Sequence, residues 1–338
     1  LINLITNISF YGTFSAHEAS PLHNQLGIWV IAVPVIGAVI VGFMARYGSA
    51  AIRGHGIPEA MEQVLVNKSR IKPLITFLKP VSAAISIGTG GPFGAEGPII
   101  ATGGAWGSVI GQVLSITASE RKILLAAGAA AGMSCIFGTP LAAVILAVEL
   151  LLFEFSPRSI VPGILSCITG AAFHHLYFGG APVFTMPDVE APTNTALLAY
   201  SIIGIVIGVL SALITKAVYL IEDAFEKLPI HWMWWPAIGG LVVGVVGYFA
   251  PETLGVGYVN IDNLLMGKVT LQTLFVLGVL KFISWSFSLG SGTSGGTLAP
   301  LLTIGGASGL FVAFLFQAAF PQVEINFSIA ALIGMAAM

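Results

Sequence analysis

The stretch that decides the fold is Gly88-Thr-Gly-Gly-Pro-Phe-Gly-Ala-Glu-Gly-Pro98, which returns in altered form as Gly290-Ser-Gly-Thr-Ser-Gly-Gly-Thr-Leu-Ala-Pro300. We call these the first-repeat motif and the second-repeat motif. They lie 202 positions apart, and the same offset places Gly132-Met133 on Gly334-Met335 without a gap. A period of this length is too long for a solenoid and is typical of a membrane transporter built from two homologous, commonly inverted, halves.

The offset predicts one internally doubled unit. Residues 1–202 form the first transmembrane repeat, which carries the gating motif, and residues 203–338 form the second. The second copy stops at Met338, opposite Ile136, so we expect the second repeat to be incomplete at its C-terminal end. Leu1 opens inside an apolar stretch without a basic leader, from which we expect trimming at the N-terminus.

The composition predicts an all-α integral membrane protein. Apolar residues make up 56% of the chain, charged residues 8%, and the mean hydropathy is +0.95. Several apolar runs reach the roughly 20 residues that a membrane-spanning helix needs. These runs lack the alternating polarity of barrel strands, so we expect a bundle of tilted and discontinuous helices.

The charged residues and cysteines indicate which partners, membrane orientation and covalent or metal sites to expect. A net charge of -2 argues against a nucleic-acid partner. Six of the 13 basic residues lie between Arg46 and Lys79, after the first full apolar run, and the positive-inside rule places this connection in the cytoplasm. We therefore expect a multi-pass protein of the cell (plasma) membrane. Cys135 and Cys167 have no metal-binding spacing, and we expect neither a metal site nor a disulfide.

Both motifs place glycines and a proline directly before an apolar helix of small residues. Irregular backbone at membrane depth is tolerated only where it is buried in protein or lines a cavity. A helix start offers unpaired N–H groups and a partial positive charge, and glycine lets an anion approach them closely. Neither motif contains Lys or Arg, which suits an anion that is held weakly and passes on. Gly54-His-Gly-Ile-Pro-Glu59, called here the histidine motif, is predicted to be a third helix start.

The glycines allow two other interpretations. The glycines could serve close helix packing, and we prefer that role for Gly104, Gly107 and Gly111. Gly290-Ser-Gly-Thr-Ser-Gly295 also fits the dinucleotide-binding fingerprint, but no strand precedes it and no acidic residue follows about 20 positions later. The motifs before Pro98 and Pro300 are therefore assigned to anion binding.

Glu96 is the residue in which the two copies differ most, since Leu298 stands opposite it. An ionisable group at membrane depth indicates function by default. At a helix start its carboxylate can occupy the place of an anion, and protonation would release that place. Glu96 is therefore a candidate gate, with a merely capping glutamate as the alternative.

With these motifs in order, the sequence resembles the CLC family of chloride channels and chloride/proton exchangers over essentially the whole chain. Gly54-His-Gly-Ile-Pro-Glu59 is similar to the family's Gly-Ser-Gly-Ile-Pro-Glu, and Gly94-Ala-Glu-Gly-Pro98 is similar to its Gly-Arg-Glu-Gly-Pro. Gly295-Gly-Thr-Leu-Ala-Pro300 and Gly138-Thr-Pro-Leu-Ala142 resemble two further family motifs. The resemblance implies a CLC-type fold, a homodimer in membrane lipid, and one pathway per subunit.

The resemblance also implies roles for individual residues. Glu96 would be the gating glutamate, His55 would contribute a side chain to the anion, and the amides of Thr297 and Leu298 would contact it. His55 replaces the family's serine, so chloride is only the default anion. The expected anion-binding residues are His55, Gly56, Ile57, Ala95, Glu96, Gly97, Gly295, Gly296, Thr297 and Leu298. We expect no cofactor apart from bound chloride ions.

Exchangers of the family carry an internal proton-accepting glutamate directly after the position of Glu149, where this chain has Leu150. The absence of that glutamate favours passage of the anion without coupled proton movement. Glu154, about one helical turn beyond Leu150, is a candidate proton relay together with Glu149, or alternatively a structural acid near Arg158.

The predicted function is transport of chloride or a similar small anion, as a channel or as an exchanger that also moves protons. The alternatives are a fluoride-type anion/proton antiporter and a membrane sensor that binds an anion without conducting it. An enzyme is not expected, because no set of catalytic residues converges on the glycine motifs.

Overall fold

The computed structural model describes residues 1–338, which form helices and no β-strand apart from two isolated bridges. The first eight helices are α1 (Ile2–Thr6), α2 (Ala32–Phe43), α3 (Ile57–Leu65), α4 (Ile75–Gly88), α5 (Glu96–Val113), α6 (Ala118–Phe137), α7 (Pro140–Ala147) and α8 (Pro157–Phe178). The other seven are α9 (Asn194–Glu226), α10 (Trp235–Phe249), α11 (Tyr258–Leu265), α12 (Leu271–Phe275), α13 (Lys281–Gly290), α14 (Leu298–Ala319) and α15 (Phe327–Ala337).

Six helical segments are long and apolar enough to cross a membrane. They are Gly27–Gly48, Pro157–Phe178, Asn194–Glu226, Trp232–Phe249, Leu271–Gly290 and Leu298–Ala319. Large apolar side chains on the outside of α9, such as Leu198, Ile205 and Leu220, are exposed, as expected where a helix faces lipid. The prediction of an all-α membrane fold is confirmed.

The offset of 202 residues also relates the helices. It places α2 on α10, α3 on α11, the end of α4 on the end of α13, and the first residue of α5 on the first residue of α14. The proposed boundary between residues 202 and 203 lies inside the continuous helix α9, and the division into 1–202 and 203–338 stays a prediction.

Small residues bring the long helices together. Helix α5 packs against α6, where a Cβ on Gly103 would overlap the carbonyl of Gly128. Helix α14 packs against α15, with Gly305 against the carbonyl of Gly334. Gly107, predicted to serve helix packing, lies against the carbonyl of Leu124. Because backbones meet at these crossings, α5 and α14 are fixed along their length and their first residues are fixed in space.

Both long helices begin after a tight turn inside the protein. Helix α4 ends at Gly88 and α13 ends at its counterpart Gly290. Two residues later, Gly90 and Gly292 have φ values of 101° and 77°, which side chains rarely allow. The chain therefore reverses at equivalent positions in both repeats, and each reversal leads directly into one of the motifs.

Two basic residues used to orient the chain do not lie at an exposed connection. Lys79 is 1% exposed within α4. Arg53 is half-buried, with its guanidinium 4.9 Å from the ring centroid of Trp232 and 5.7 Å from that of Trp235. Arg70 and Lys72 remain exposed, so the positive-inside argument depends on fewer charges than the sequence suggested.

Candidate functional site

The three predicted helix starts meet in one place. Gly94 of the first-repeat motif and Gly296 of the second exchange two N–H to carbonyl hydrogen bonds, each 2.9 Å long. The N–H of Gly295 donates to the carbonyl of Gly54 in the histidine motif at 3.3 Å. The starts of α3, α5 and α14 are thereby joined through their backbones. Residues far apart in the sequence form one cluster of helix N-termini.

The paired glycines also reveal the symmetry of the site. Gly94 and Gly296 are equivalent under the offset of 202 residues, and their bridge is antiparallel. Equivalent residues that exchange reciprocal hydrogen bonds in antiparallel strands are related by a local two-fold axis between them. Such an axis is the relation expected of inverted repeats. The helix starts of the two repeats therefore face each other across it.

The histidine motif fits against the start of α5 without a gap. Gly56 has a φ of 99°, and its N–H donates to a carboxylate oxygen of Glu59 at 2.6 Å. A Cβ on Gly97 would overlap the carbonyl oxygen of His55. The Nδ1 atom of His55 is buried without a hydrogen-bond partner. The close backbone contact between Gly97 and His55 therefore requires glycine at position 97. The Nδ1 of His55 is available to a ligand.

Glu96 is the first residue of α5 and is fully buried. Its Oε1 accepts a hydrogen bond of 2.7 Å from the hydroxyl of Tyr258, while its Oε2 is buried without a partner. A Cβ on Gly94 would overlap Oε2, so the carboxyl group lies against the bridge that joins the two motifs. The carboxyl group therefore sits where the N-termini of α5 and α14 approach each other, and only half of its hydrogen-bonding capacity is used.

The other predicted anion-binding residues lie at the starts of the same three helices. Thr297 occupies the N-cap position of α14 and Leu298 is its first helical residue, as Ala95 and Glu96 do for α5. Ile57 is the first residue of α3. The structure thus brings together the ten residues expected at the anion site, although their contact with an anion stays a prediction.

Two buried lysines, which the glycine motifs did not reveal, support the site from behind. The Nζ of Lys79 donates to the carbonyls of Ile52 and Gly54, each at 2.9 Å. The Nζ of Lys281 donates to the carbonyls of Thr253 and Gly255 at 2.9 and 2.8 Å. Lys79 and Lys281 are equivalent under the offset of 202 residues. This equivalence is the sequence signal that identifies them as a pair. Each fully buried cation fixes the loop that precedes α3 or α11.

No hydrogen bond or ion pair in the structure links the predicted relay residues to the helix starts. The helix that continues α7 ends at Leu152, and Phe153 has a φ of 52°, so the expectation that Glu154 follows one helical turn after Leu150 is wrong. Glu154 is exposed and lies 3.9 Å from Lys122. Arg158 pairs with Glu120 instead, at 3.3 Å. Glu149 is exposed on the last helical turn.

A family model described as voltage gated chloride channel matches residues 36–338, which contain all three motifs. The chain belongs to this CLC family. The match covers far more than half of the chain and both repeats. The family resemblance inferred from the motifs is therefore confirmed.

Relatives of this CLC protein are named as channels and as transporters. A putative chloride channel protein ClcB-like of Ralstonia nicotianae is 26% identical over 91% of this chain and 73% of its own length. An H(+)/Cl(-) exchange transporter ClcA of Vibrio campbellii is 29% identical over 94% of this chain and 70% of its own length. Chloride channel protein CLC-e of Arabidopsis thaliana is 29% identical, and the chain spans 46% of its length.

Solved structures confirm the CLC fold. A slow cyanobacterial Cl-/H+ antiporter superimposes with a TM-score of 0.81 at 23% identity, covering 90% of this chain and 73% of the other. A CLC-type fluoride/proton antiporter superimposes with a TM-score of 0.72 at 18% identity, covering 99% of this chain and 85% of the other. The protein is an integral membrane protein of a family of anion channels and anion/proton exchangers.

Proposed function

We propose that this CLC protein moves chloride, or a similar small anion, through a pathway lined by the starts of α3, α5 and α14 and gated by Glu96. The observation that carries the proposal is the buried Glu96 carboxyl, which lies between two helix N-termini with Oε2 unpartnered. An anionic side chain in that position is stabilised by the same partial positive charge of the helix N-termini that a permeating anion would use. Carboxylate and anion would therefore compete for one site.

Backbone dipoles, rather than basic side chains, would hold the anion. Helix termini provide partial charges of about half an elementary charge. Lys79 and Lys281 have their ammonium groups hydrogen-bonded to backbone carbonyls and would act from behind the loops. A site built in this way binds an anion strongly enough to strip its water and weakly enough to release it.

The test is chloride efflux from proteoliposomes that contain the purified protein. We expect Glu96→Gln and Glu96→Ala to change the efflux rate several-fold and to remove its dependence on pH. Glu62→Gln, at an exposed position of α3, is the matched control and should behave as the unchanged protein. Unchanged rate and pH profile in both Glu96 variants would show that another group gates the pathway. Anion binding without any efflux would favour the sensor.

A channel and an exchanger differ in whether anion movement is coupled to proton movement. We propose that Glu96 exchanges protons with one side and that Glu154 or Glu149 is the candidate relay on the other. In vesicles with an outward chloride gradient, an exchanger drives proton movement against its own gradient, whereas a channel does not. If uphill proton movement occurs and survives both Glu149→Gln and Glu154→Gln, neither acid is the relay.

The anion is identified by a selectivity series over fluoride, chloride, bromide and nitrate. We expect chloride to be transported and His55→Ser to change the order of preference, since His55 replaces a hydroxyl by a larger ring at the start of α3. A preference for fluoride would identify the alternative antiporter.

The proposed homodimer, in lipid of the plasma membrane, is checked by photobleaching of single labelled proteins in cells.

A further inference from the structure

Glu96 makes one side-chain hydrogen bond, and it comes from the other repeat. The hydroxyl of Tyr258 donates to Oε1 at 2.7 Å, across 162 positions of the sequence. The Tyr258 side chain is the donor, because a carboxylate can only accept. The proposed gate of the first repeat is thus held in place by a phenol of the second.

Tyr258 occupies a position that is equivalent to a residue of the site. It is the first residue of α11, which is the counterpart of α3, and the offset of 202 residues places it opposite Gly56. Gly257 before it and Gly56 both have positive φ values, 78° and 99°. The same helix start therefore occurs twice. In the first repeat this position is Gly56, which has no side chain. In the second repeat it is Tyr258, whose hydroxyl reaches the Glu96 carboxyl.

The ring of Tyr258 is fixed from two directions. Phe184 packs edge-on against it with ring centroids 5.7 Å apart, and Phe137 packs against Phe184 at 6.0 Å. Lys281 holds the carbonyls of Thr253 and Gly255, just before the turn at Gly257. The hydroxyl is therefore pre-positioned, and its hydrogen bond to Glu96 costs little side-chain entropy.

We propose that Tyr258 is the positioning residue of the gate: its hydroxyl latches the Glu96 carboxyl between the helix starts, and breaking this hydrogen bond is a step in opening. This inference rests on the proposed gating role of Glu96. The latch holds one carboxylate oxygen and leaves the other free, so the carboxyl group can pivot away once the single bond is released. Closed and open arrangements then differ by one hydrogen bond to a charged group.

The test is a double-mutant cycle between Tyr258 and Glu96, with chloride efflux from proteoliposomes as the readout. Tyr258→Phe keeps the ring and its packing on Phe184 and removes only the hydroxyl. We expect it to raise efflux about tenfold, the ratio that corresponds to a hydrogen bond of about 1.4 kcal/mol. In a Glu96→Ala background the same substitution should leave efflux unchanged, since there is no carboxyl to release. Tyr219→Phe, an exposed tyrosine on α9, is the control and should have no effect.

Each outcome of the cycle has a distinct meaning. Efflux of Tyr258→Phe equal to that of the unchanged protein would overturn the latch, and so would an equal increase in both backgrounds, which a purely structural role would produce. Failure of the proposed gate is recognised separately, because Glu96→Ala alone would then leave efflux unchanged. Incorporation of 3-fluorotyrosine at position 258 gives an independent test. Its more acidic hydroxyl is a stronger donor and should slow efflux, whereas faster efflux would contradict the latch.

Discussion

Gly97 is the residue at which the start of α5 comes closest to the histidine motif. A Cβ there would overlap the carbonyl of His55 and lie 2.9 Å from the Cα of Gly296. Both neighbours are backbone atoms, which cannot move aside as a flexible side chain can. All three helix starts consequently depend on a missing side chain at this position.

We expect Gly97→Ala to destabilise the protein by about 1–3 kcal/mol and to abolish most anion flux, because the clash pushes the three starts apart. The measurement is thermal unfolding in detergent together with chloride efflux. Gly208→Ala in α9 is the matched control, since no atom lies within 4 Å of the added methyl group. It should be neutral or slightly stabilising, by up to about 1 kcal/mol. Full flux in Gly97→Ala would contradict close contact at this site.

Glu120, in the exposed first turn of α6, makes a pH-dependent contribution to the stability of the fold. The hydroxyl and then the N–H of Thr117 donate to its carboxylate at 2.7 and 3.1 Å and hold the pKa of Glu120 below its usual value. A carboxyl whose pKa is lowered by folding stabilises the folded state above its unfolded pKa. This stabilisation is lost as the pH falls through the lowered, folded value.

We therefore expect Glu120→Gln to lower the unfolding temperature at pH 7, where the carboxylate is ionised. The difference from the unchanged protein should shrink as the pH falls below about 4.5, the usual pKa of this group. Unfolding scans between pH 3 and pH 7 measure it. Glu324→Gln, at an exposed loop position, serves as the reference. A difference that is constant over this range would show that the carboxylate charge does not matter.

At the scale of single elements, the two buried lysines connect α4 and α13 to the loops before α3 and α11. The Nζ of Lys79 also lies 3.4 Å from the carbonyl of Arg53, in addition to its two shorter bonds. Without Lys79 the carbonyl of Ile52 loses its donor and that of Gly54 keeps only the longer bond from Gly295, at a cost of about 1–3 kcal/mol for an unsatisfied group. The helix starts then lose the support that sets their direction.

We expect Lys79→Met to destabilise the protein by at least about 2 kcal/mol and to reduce anion flux strongly. Lys281→Met should destabilise the protein at least as much, since it removes the donor of two buried carbonyls, those of Thr253 and Gly255. Lys72→Met, at an exposed position, is the control. Thermal unfolding and efflux are measured side by side. If Lys79→Met were as stable as the control, the carbonyls would have to find other donors.

The helix starts show how far sequence reasoning reaches at this scale. Consecutive glycines before Pro98 and Pro300 predicted where α5 and α14 begin, because a continuous membrane helix has no use for them. Tyr258 could not be predicted in the same way. An aromatic residue in an apolar chain is usually packing, and only the three-dimensional path of α11 brings its hydroxyl to Glu96. The prediction that Glu154 lies one helical turn beyond Leu150 is wrong, because no glycine or proline in the local sequence marks the end of the helix at Leu152.

At the scale of the whole molecule, the two repeats are joined by hydrogen bonds at the site and by the packing of α2 against α10. The bridges between Gly94 and Gly296 and between Gly54 and Ser294 cross from one repeat to the other, as does the bond from Tyr258 to Glu96. The hydroxyl of Ser82 adds a hydrogen bond of 3.1 Å to Ser294. The repeats are therefore held together by contacts that do not depend on an unbroken chain between α8 and α9.

This arrangement predicts that the protein tolerates a cut between the repeats. Residues 185–193 have no secondary structure, and a break between Val189 and Glu190 leaves α8 and α9 intact. We expect fragments 1–189 and 190–338, produced together in one membrane, to associate and to restore anion flux. A break between Ile203 and Gly204 should prevent assembly, since it interrupts α9 beside the fully buried Ile203. Co-purification through a tag on one fragment, followed by efflux, measures both. Fragments that fail to associate after the cut at Val189 would mean that the covalent connection, and not the shared site, holds the two repeats together.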